Sequence, residues 1–222
     1  MSGVIDKVDT PQSLVLSPYW ESSIRLAAKR VIDVLGSAVL LLLLSPVFMA
    51  LALIVKFSSP GPVFYRWKVV GKHGIPFLSH KFRSMVTNAD ELKASLQGLN
   101  EMSGPVFKLT EDPRVTKAGR WLRRYSLDEL PQIYSVLKGD MSLVGPRPPL
   151  VTEYAVFTQY QKQKLAVKPG ITCLWQVNGR NDVHDFDEWV KLDLDYIRHW
   201  SLGLDLKIMF KTLSAVTTGT GK

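Results

Sequence analysis

The feature that most constrains this chain is an apolar segment with a proline near its middle. Residues 34–55 contain no charged side chain, and a helix of that length covers about 33 Å, enough to cross a bilayer. Pro46 lacks the N–H that would bond the carbonyl of Leu42, which costs about 3 kcal/mol or more inside a helix. One structure that fits is a spanning helix in which the Ser45 hydroxyl bonds the freed carbonyl. The other is a re-entrant pair of helices, each about 14 to 16 Å long, that enters and leaves by one face.

Basic residues flank the apolar segment on both sides. They are Arg25, Lys29 and Arg30 before it, and Lys56, Arg66, Lys68 and Lys72 after it. Because basic residues mark the cytoplasmic side of a membrane segment, this pattern places both ends in the cytoplasm. The flanks therefore agree with re-entry, with the break at Ser45 and Pro46, while a kinked span stays the alternative.

Outside this segment the composition is that of an ordinary folded protein of 222 residues, with 46% hydrophobic and 22% charged residues. We predict an α+β fold in three parts: a polar leader at 1–16, a membrane segment at 17–57 and a cytoplasmic domain at 58–222. Ser17 followed by Pro18 is typical of a helix start, and this first helix should end near Asp33.

The domain is predicted to combine short strands with short helices. Two apolar stretches on either side of residues 71–74 indicate a β-hairpin. The last helix has lysines opposite its apolar positions, so it should either pack on the core or lie at the membrane surface. The other expected elements are helices at 88–96 (opened by a capping box of Asn88 and Glu91), 116–125, 128–138 and 152–166, a helix beginning near Asp185, and strands at 141–144 and 171–177.

Charge and cysteine content narrow the classes of function. The net charge of +8 and pI of about 9.5 suit a phosphate-bearing partner: nucleic acid, anionic lipid or a nucleotide substrate. The single cysteine, Cys173, excludes an intramolecular disulfide and a cysteine-based zinc cluster. The histidines have no metal-ligand spacing, and neither a P-loop nor a G-x-G-x-x-G fingerprint occurs.

Adjacent carboxylates in RRYSLDELPQ are the first candidates for chemistry. Ser126 and Glu129 have the spacing of a capping box, but Pro131 would then fall inside the helix and remove a hydrogen bond. With Asp128 as the N-cap, Pro131 falls in the first turn, where no hydrogen bond is lost. Asp128 would then lie ionised at the positive end of a helix, where an anion or a magnesium ion can be held. Helix capping alone explains the same residues equally well.

Several basic residues are candidates for binding phosphate. Arg147 lies in GDMSLVGPRPP, where prolines fix the backbone and the preceding Gly145 allows close approach to a ligand. A solvated arginine in a proline-rich turn is the alternative. The other candidates, each of which also fits an ordinary surface charge, are Lys81, Arg83, Arg123, Arg124 and Arg180.

The motifs KFRSM, SLDELPQ, GDMSLVGPRP, KPGIT and WQVNGR occur in this order, and together they closely resemble the bacterial monotopic phosphoglycosyl transferases, also called the bacterial sugar transferase family. The resemblance extends from about residue 22 to about residue 217. It implies an enzyme of the bacterial cytoplasmic (inner) membrane, with its catalytic domain on the cytoplasmic face. Such an enzyme transfers a sugar 1-phosphate from a UDP-sugar to polyprenyl (undecaprenyl) phosphate, releases UMP and initiates exopolysaccharide or other glycoconjugate assembly.

The resemblance also implies roles for individual residues. The family's nucleophilic aspartate maps onto Asp128, and Glu129 assists it beside a required Mg²⁺ that both carboxylates would hold. A covalent aspartyl phospho-sugar splits one displacement into two, and Mg²⁺ offsets the charge of the diphosphate. The Ser-Pro break is associated in the family with a re-entrant helix, which favours re-entry here. The implied phosphate-binding residues are Lys81, Arg123, Arg147 and Arg180, with Asp193 in support.

The expected partners are a UDP-sugar, polyprenyl phosphate and membrane lipids rather than nucleic acid, and homodimerisation is left open. Family members commonly have glycine where Cys173 stands, so packing or the sugar pocket near that residue is expected to differ. The competing hypothesis is a basic membrane-anchored binding or scaffold protein without activity, whose binding to duplex DNA would depend steeply on salt.

Overall fold

The computed structural model describes residues 16–178 and 183–219. Across these residues helices predominate over two small sheets, which confirms the α+β class. The strands are β1 (Phe64–Val70), β2 (Pro76–Phe82), β3 (Ser142–Val144) and β4 (Gly170–Thr172). The helices are α1 (Ser23–Leu43), α2 (Ser45–Ser58), α3 (Ala89–Lys93), α4 (Lys117–Arg124), α5 (Gln132–Lys138), α6 (Val151–Tyr154), α7 (Gln159–Lys162), α8 (Leu174–Val177), α9 (Phe186–Arg198) and α10 (Leu202–Thr218).

The sequence predicted that the first long helix ends near Asp33. In the structure this helix, α1, continues beyond that residue. Ser17 begins only a short 3-10 turn, Pro18–Trp20, and Ser22 caps α1 by accepting a hydrogen bond from the Arg25 N–H. α1 then continues into the apolar segment, because the residues after Asp33 are mostly Val, Ala and Leu and none of them breaks a helix. The first helix and the first half of the apolar segment are therefore one element.

The break at Ser45 and Pro46 shows one feature expected of each structure that the sequence left open. The Ser45 hydroxyl donates to the Leu42 carbonyl at 2.8 Å, so the acceptor freed by Pro46 is satisfied. The helices nevertheless bend by 62° between α1 and α2. Among the described helices none alone is long and apolar enough to cross a membrane, whereas the bent pair together has the necessary length and composition.

The helix α1 is polar on the face that meets the rest of the protein and apolar on the opposite face. Lys29, Asp33 and Ser37 recur at intervals of four residues and are buried. Exposed apolar side chains of α1 and α2 include Ile24, Val31, Leu35, Val39, Leu42, Leu43, Met49, Leu53 and Phe57. This pattern is the reverse of a helix on the surface of a water-soluble protein, and so large an apolar surface indicates contact with lipid or another apolar partner.

Two of the basic residues before the apolar segment are not the free charges that the flank interpretation assumed. The Lys29 ammonium lies 2.6 Å from a carboxylate oxygen of Asp205 in α10. Arg30 donates to the Val136 carbonyl at 2.7 Å, near the end of α5. Of the three, Arg25 alone is exposed. Lys29 and Arg30 therefore attach α1 to the rest of the fold.

The predicted hairpin is confirmed. Strands β1 and β2 pair antiparallel, with Tyr65 opposite Lys81 and Trp67 opposite Ser79. Because side chains alternate along a strand, these four residues share one face of the hairpin. This register decides that Lys81 and Trp67 point the same way.

Several predicted elements are shorter than expected or have a different structure. α3 starts after Asn88 as predicted, but the Asn88 side chain makes no capping bond. The helix predicted at 152–166 is divided into α6, α7 and a 3-10 turn. The strand predicted at 171–177 ends at Thr172 and continues as α8, because its partner β3 is only three residues long. The helices at 116–125 and after Asp185 are confirmed as α4, α9 and α10.

Two apolar clusters hold these elements together. The larger is built mainly from α9 and its neighbours and includes Trp189, Tyr196 and Trp200. In the smaller, Leu51 and Val55 of α2 pack with buried residues of β2 and α4. α10 packs through Ile208 but exposes Leu206, Phe210 and Leu213, so it shows features of both predicted arrangements.

Candidate active site

The two adjacent carboxylates lie in a single 3-10 turn, Leu127–Glu129. Ser126 precedes it in the left-handed region with φ of 53°, and the regular helix α5 begins only at Gln132. The sequence predicted that Asp128 is the N-cap of this helix. That prediction is wrong, because the 3-10 turn that contains Asp128 comes before α5. Asp128 and Glu129 are each only 7% exposed. Two neighbouring buried carboxylates require cations or other polar partners nearby.

Among the described residues, side chains from distant parts of the chain hold Glu129. The Lys81 ammonium donates to Glu129 Oε1 at 2.7 Å, and the Arg147 guanidinium donates to the same oxygen at 3.1 Å. Gln176 in α8 donates to Glu129 Oε2 at 3.4 Å. The structure thus brings the predicted residues Lys81, Arg147 and Glu129 together around one carboxylate.

Lys81 is fixed on two sides. Its ammonium lies over the ring of Trp67, 4.0 Å from the centroid, while it also pairs with Glu129. Burial lowers the pKa of the Lys81 ammonium, and the nearby charges of Glu129 and Asp128 oppose that change. Lys81 is therefore a positioned cation whose proton is held less firmly than that of a surface lysine.

Arg123 reaches the same region from α4. Its Nε donates to the Ser84 hydroxyl at 3.0 Å. α4 can lie this close to Ser84 because position 119 is glycine: a Cβ there would stand 1.9 Å from the Ser84 carbonyl oxygen. Thr116 caps the same helix by accepting a hydrogen bond from the Gly119 N–H.

The glycine before Arg147 has a different purpose from the one predicted. A Cβ on Gly145 would stand 2.5 Å from the Lys168 carbonyl oxygen, and one on Gly170 would stand 2.0 Å from the Gly145 nitrogen. Gly145 therefore allows two backbone segments to approach each other, not a ligand. The approach fixes the end of β3 against β4, and Arg147 follows from this rigid point.

Asp193 does not contact the two adjacent carboxylates directly. It is fully buried in α9 and pairs with Lys164, whose ammonium lies 2.6 Å away. Burial raises the pKa of the Asp193 carboxyl, and the Lys164 charge opposes that rise. Cys173 is buried nearby, and burial raises the pKa of its thiol to about 12.

Two of the other predicted basic residues, Arg83 and Arg124, lie in different places from the carboxylate pair. Arg180 lies outside the described residues. Arg83 donates to the Ser59 carbonyl at 2.7 Å and also to the Pro60 carbonyl, so it secures the chain that leaves α2. Arg124 is exposed.

The two adjacent carboxylates and the basic residues near them line a cavity of about 470 Å³. Its walls include Lys81, Arg123, Asp128, Glu129 and Arg147. One part is aromatic, lined by Phe157, Trp175, Phe186 and Trp189 with Lys164 among them, and another is formed by Lys93, Phe107, Asp112 and Arg114. A cavity of this size with convergent charged groups suits a small charged ligand.

No group of three or more metal-ligating side chains occurs among residues 16–178 and 183–219. The pair Asp128 and Glu129 nevertheless supplies carboxylate oxygens at a cavity wall. Mg²⁺ is commonly held by one or two carboxylates together with substrate phosphates. The donor chemistry of this pair therefore fits Mg²⁺ that arrives with a phosphate-bearing substrate.

Sequence reasoning missed Lys164, Ser84 and Trp67 as members of this site. Lys164 is one of three lysines in QKQKLAVKPG, and nothing in the local pattern separates the buried one from the two that are partly exposed. Trp67 could have been found from the hairpin register, since it projects on the same face as Lys81. Ser84 lies within the quoted motif KFRSM, but its contact with Arg123 depends on tertiary packing.

Comparison with known proteins identifies the family. A sequence model described as bacterial sugar transferase matches residues 24–219. The chain belongs to the bacterial sugar transferase family. The assignment confirms the resemblance read from the five motifs, and with it the prediction of a transferase.

Three relatives illustrate the similarity. The chain is 48% identical over 196 residues to galactosyl transferase CpsE of Streptococcus agalactiae serotype III (strain NEM316), covering 88% of this chain and 43% of the relative. It is 43% identical over 198 residues to exopolysaccharide production protein ExoY of Rhizobium meliloti (strain 1021), covering 87% of each. It is 41% identical over 199 residues to UDP-glucose:undecaprenyl-phosphate glucose-1-phosphate transferase of Escherichia coli (strain K12), covering 86% of this chain and 40% of the relative. The chain thus spans less than half of two relatives and most of the third.

Proposed function

We propose that this bacterial sugar transferase moves a sugar 1-phosphate from a UDP-sugar to polyprenyl phosphate and releases UMP. The observation that carries the proposal is the buried pair Asp128 and Glu129, set in a cavity between Lys81, Arg123 and Arg147. A carboxylate among positioned cations suits attack on a phosphoryl group, whose negative charge would otherwise repel it. The relative CpsE is named a galactosyl transferase and ExoY an exopolysaccharide production protein, and both names support sugar transfer during exopolysaccharide synthesis.

Asp128 is the proposed nucleophile. In the first step an Asp128 carboxylate oxygen forms a bond to the β-phosphorus of the UDP-sugar. The bond from that phosphorus to the bridging oxygen breaks, and UMP leaves with the electron pair. In the second step an oxygen of polyprenyl phosphate attacks the aspartyl phospho-sugar and frees the Asp128 carboxylate.

The basic residues stabilise the negative charge on the phosphoryl group that is attacked in both steps. Lys81 and Arg147 already lie within 3.1 Å of Glu129, so they are preorganised when the phosphates bind. Arg123 is fixed by Ser84 and adds a third cation to the wall of the cavity. Glu129 keeps these cations in place beside Asp128.

Asp128 and Glu129 are also the residues that would hold Mg²⁺. When bound, Mg²⁺ would neutralise part of the diphosphate charge as a Lewis acid. Because no described cluster of three protein ligands exists, the substrate phosphates would complete its coordination. We expect a chelator to stop turnover and added Mg²⁺ to restore it.

We also propose that α1 and α2 form a re-entrant hairpin that holds the active site at the cytoplasmic face of the inner membrane. The 62° bend and the exposed apolar side chains of both helices support this arrangement. Leu51 and Val55 of α2 pack against β2 and α4, which carry Lys81 and Arg123. The hairpin would therefore set the height of the cavity relative to a lipid phosphate.

An exchange reaction tests the covalent mechanism. With no lipid acceptor present, labelled UMP should be incorporated into the UDP-sugar, because the first step is reversible and needs only the donor. UDP-glucose, UDP-galactose and their N-acetyl relatives would be tested in parallel, since the sugar is not known. Exchange that appears only with polyprenyl phosphate would contradict the aspartyl intermediate. Absence of both exchange and transfer would favour a binding or scaffold protein.

The lowered pKa of Lys81 predicts a pH effect. As pH rises through the lowered pKa, Lys81 loses the charge that pairs with Glu129, so kcat/KM should fall at a pH below the usual 10.5 of lysine. Lys81→Arg should remove this alkaline limb, because arginine keeps its proton. The measurement is the pH profile of kcat/KM, with Lys68→Arg on the exposed face of β1 as the control. An identical limb in Lys81→Arg would assign the titration to another group.

The re-entrant arrangement predicts that both ends of the hairpin are labelled from one side of a sealed vesicle. Cysteines introduced by Glu21→Cys and Lys72→Cys at exposed positions before α1 and after β1 would be probed with a membrane-impermeant maleimide. Native Cys173 should stay unreactive, because it is buried and its thiol pKa is about 12. Labelling of the two positions from opposite sides would show a spanning segment instead.

A further inference from the structure

Lys164 is the most deeply buried cation on the cavity wall and has no role in the steps described above. It belongs to a 3-10 turn, Gln163–Ala166, and only 2% of its side chain is exposed. It still lines the cavity that contains Asp128 and Glu129. A buried lysine requires a specific compensation, because removing an ammonium from water costs several kcal/mol.

The compensation comes from Asp193 and from aromatic faces. The Lys164 ammonium lies 2.6 Å from Asp193, 4.9 Å from the centroid of Trp189 and 5.7 Å from that of Phe186. Trp189 stacks on Trp175 with centroids 4.0 Å apart. The ammonium is therefore held at a fixed point on an aromatic wall.

This wall adjoins the reacting centre. Trp175 is followed in α8 by Gln176, whose amide donates to Glu129. Arg147, which also donates to Glu129, is close enough to Asp193 for its positive charge to oppose the rise in the pKa of that carboxyl. The aromatic part of the cavity is thus one residue away from the groups that hold Glu129 beside Asp128.

We propose that Lys164 contacts the hexose of the donor and that Asp193 is a positioning residue acting through it. The inference rests on the proposed function. In a UDP-sugar the hexose is joined to the β-phosphorus through one oxygen, so it must lie beside the atom that Asp128 attacks. Aromatic faces cover the apolar side of a sugar ring, while a fixed ammonium donates to its hydroxyl groups. A site that bonds a particular hydroxyl discriminates strongly against a sugar that lacks it.

The test compares binding of the donor with binding of UDP, which keeps both phosphates and lacks only the hexose. An Asp128→Asn background with Mg²⁺ present allows equilibrium affinities to be measured without turnover. Lys164→Met should weaken binding of the UDP-sugar by about 10- to 100-fold and leave the affinity for UDP unchanged. Lys164→Arg should retain part of the donor affinity.

Folding must be separated from recognition, because Lys164→Met leaves Asp193 buried without its ion pair. The double variant Lys164→Met with Asp193→Leu removes both charges and should fold, as shown by thermal unfolding. It should show the same selective loss of donor affinity. Lys191→Met on the exposed face of α9 is the matched control and should change neither affinity.

The outcomes distinguish the two hypotheses. If neither the native chain nor the Asp128→Asn parent binds UDP-sugars or UDP, the proposed function fails. If the parent binds both and the Lys164 variants weaken both equally, or weaken neither, the assignment of Lys164 to the hexose is wrong while the proposed function stands.

Discussion

Asp128→Asn is expected to abolish UMP release, with a loss of about 10⁴-fold or more in kcat. The amide has almost the same size as the carboxylate but cannot form a stable acyl phosphate, so the first displacement has no nucleophile. Binding of the donor should persist, because Lys81, Arg123 and Arg147 remain. The measurements are UMP release with polyprenyl phosphate present and the intact protein mass after incubation with the UDP-sugar alone. The native chain should gain the mass of a phospho-sugar, and the variant should not.

Asp195→Asn provides the control for this experiment. Asp195 lies in α9, where its side chain is 36% exposed and pairs with Arg198 away from the cavity. The variant should release UMP at the native rate. A covalent phospho-sugar on Asp128→Asn, or native turnover by it, would exclude Asp128 as the nucleophile.

Gly119→Ala is expected to have the second largest effect, although residue 119 contacts no substrate. The new methyl group would lie 1.9 Å from the Ser84 carbonyl oxygen and 2.6 Å from its carbon. Since a backbone group cannot swing aside, α4 must move away from the segment that follows β2. We expect a loss of about 3 kcal/mol, which lowers Tm by about 6 to 12 °C. Arg123 would lose its bond to Ser84, so kcat/KM should also fall by at least about tenfold.

The matched control is Gly98→Ala. A methyl group at that position meets nothing within 4 Å, so Tm should stay within about 2 °C of the native value. Both variants would be measured in the same detergent or nanodisc. A Tm of Gly119→Ala equal to that of Gly98→Ala would show that α4 and Ser84 are not in close contact.

The parts of the fold that the sequence predicted well are those fixed by local patterns. The hairpin was predictable because two β-prone stretches flank a glycine-containing turn, and α4 because Thr116 has the chemistry of an N-cap. The pairing of Asp128 and Glu129 with basic residues followed from motifs that are close in sequence or shared with the family. The hairpin and N-cap signals act over short stretches of sequence, whereas Lys81 and Arg147 lie 48 and 18 residues from Glu129 and were assigned through the family motifs.

The errors came from contacts between distant residues. Gly145 was predicted to leave room for a ligand. The group that approaches it is instead the Lys168 carbonyl oxygen, in the segment just before β4. Asp128 was assigned to a cap because the pattern around Pro131 does not reveal a left-handed Ser126. The partner of Asp193 was likewise invisible, since Lys164 becomes unique only when it is buried against α9. For Gly145 and Asp193 the deciding neighbour is distant in sequence, whereas Ser126 is local but is not a glycine that would signal a left-handed residue.

The ion pair between Lys29 and Asp205 has a consequence for the synthesis of the protein. Its partners lie 176 residues apart, so at a translation rate of about 5 to 20 residues per second Asp205 emerges about 10 to 35 s after Lys29. During that interval Lys29 lacks the Asp205 carboxylate, and an ammonium placed in lipid without a counter-charge is costly. If α1 and α2 form the proposed membrane hairpin, we expect it to reach its final position only after α10 has been made. A chain truncated before α10 should consequently be seated poorly in the bilayer and be an early substrate for membrane proteases.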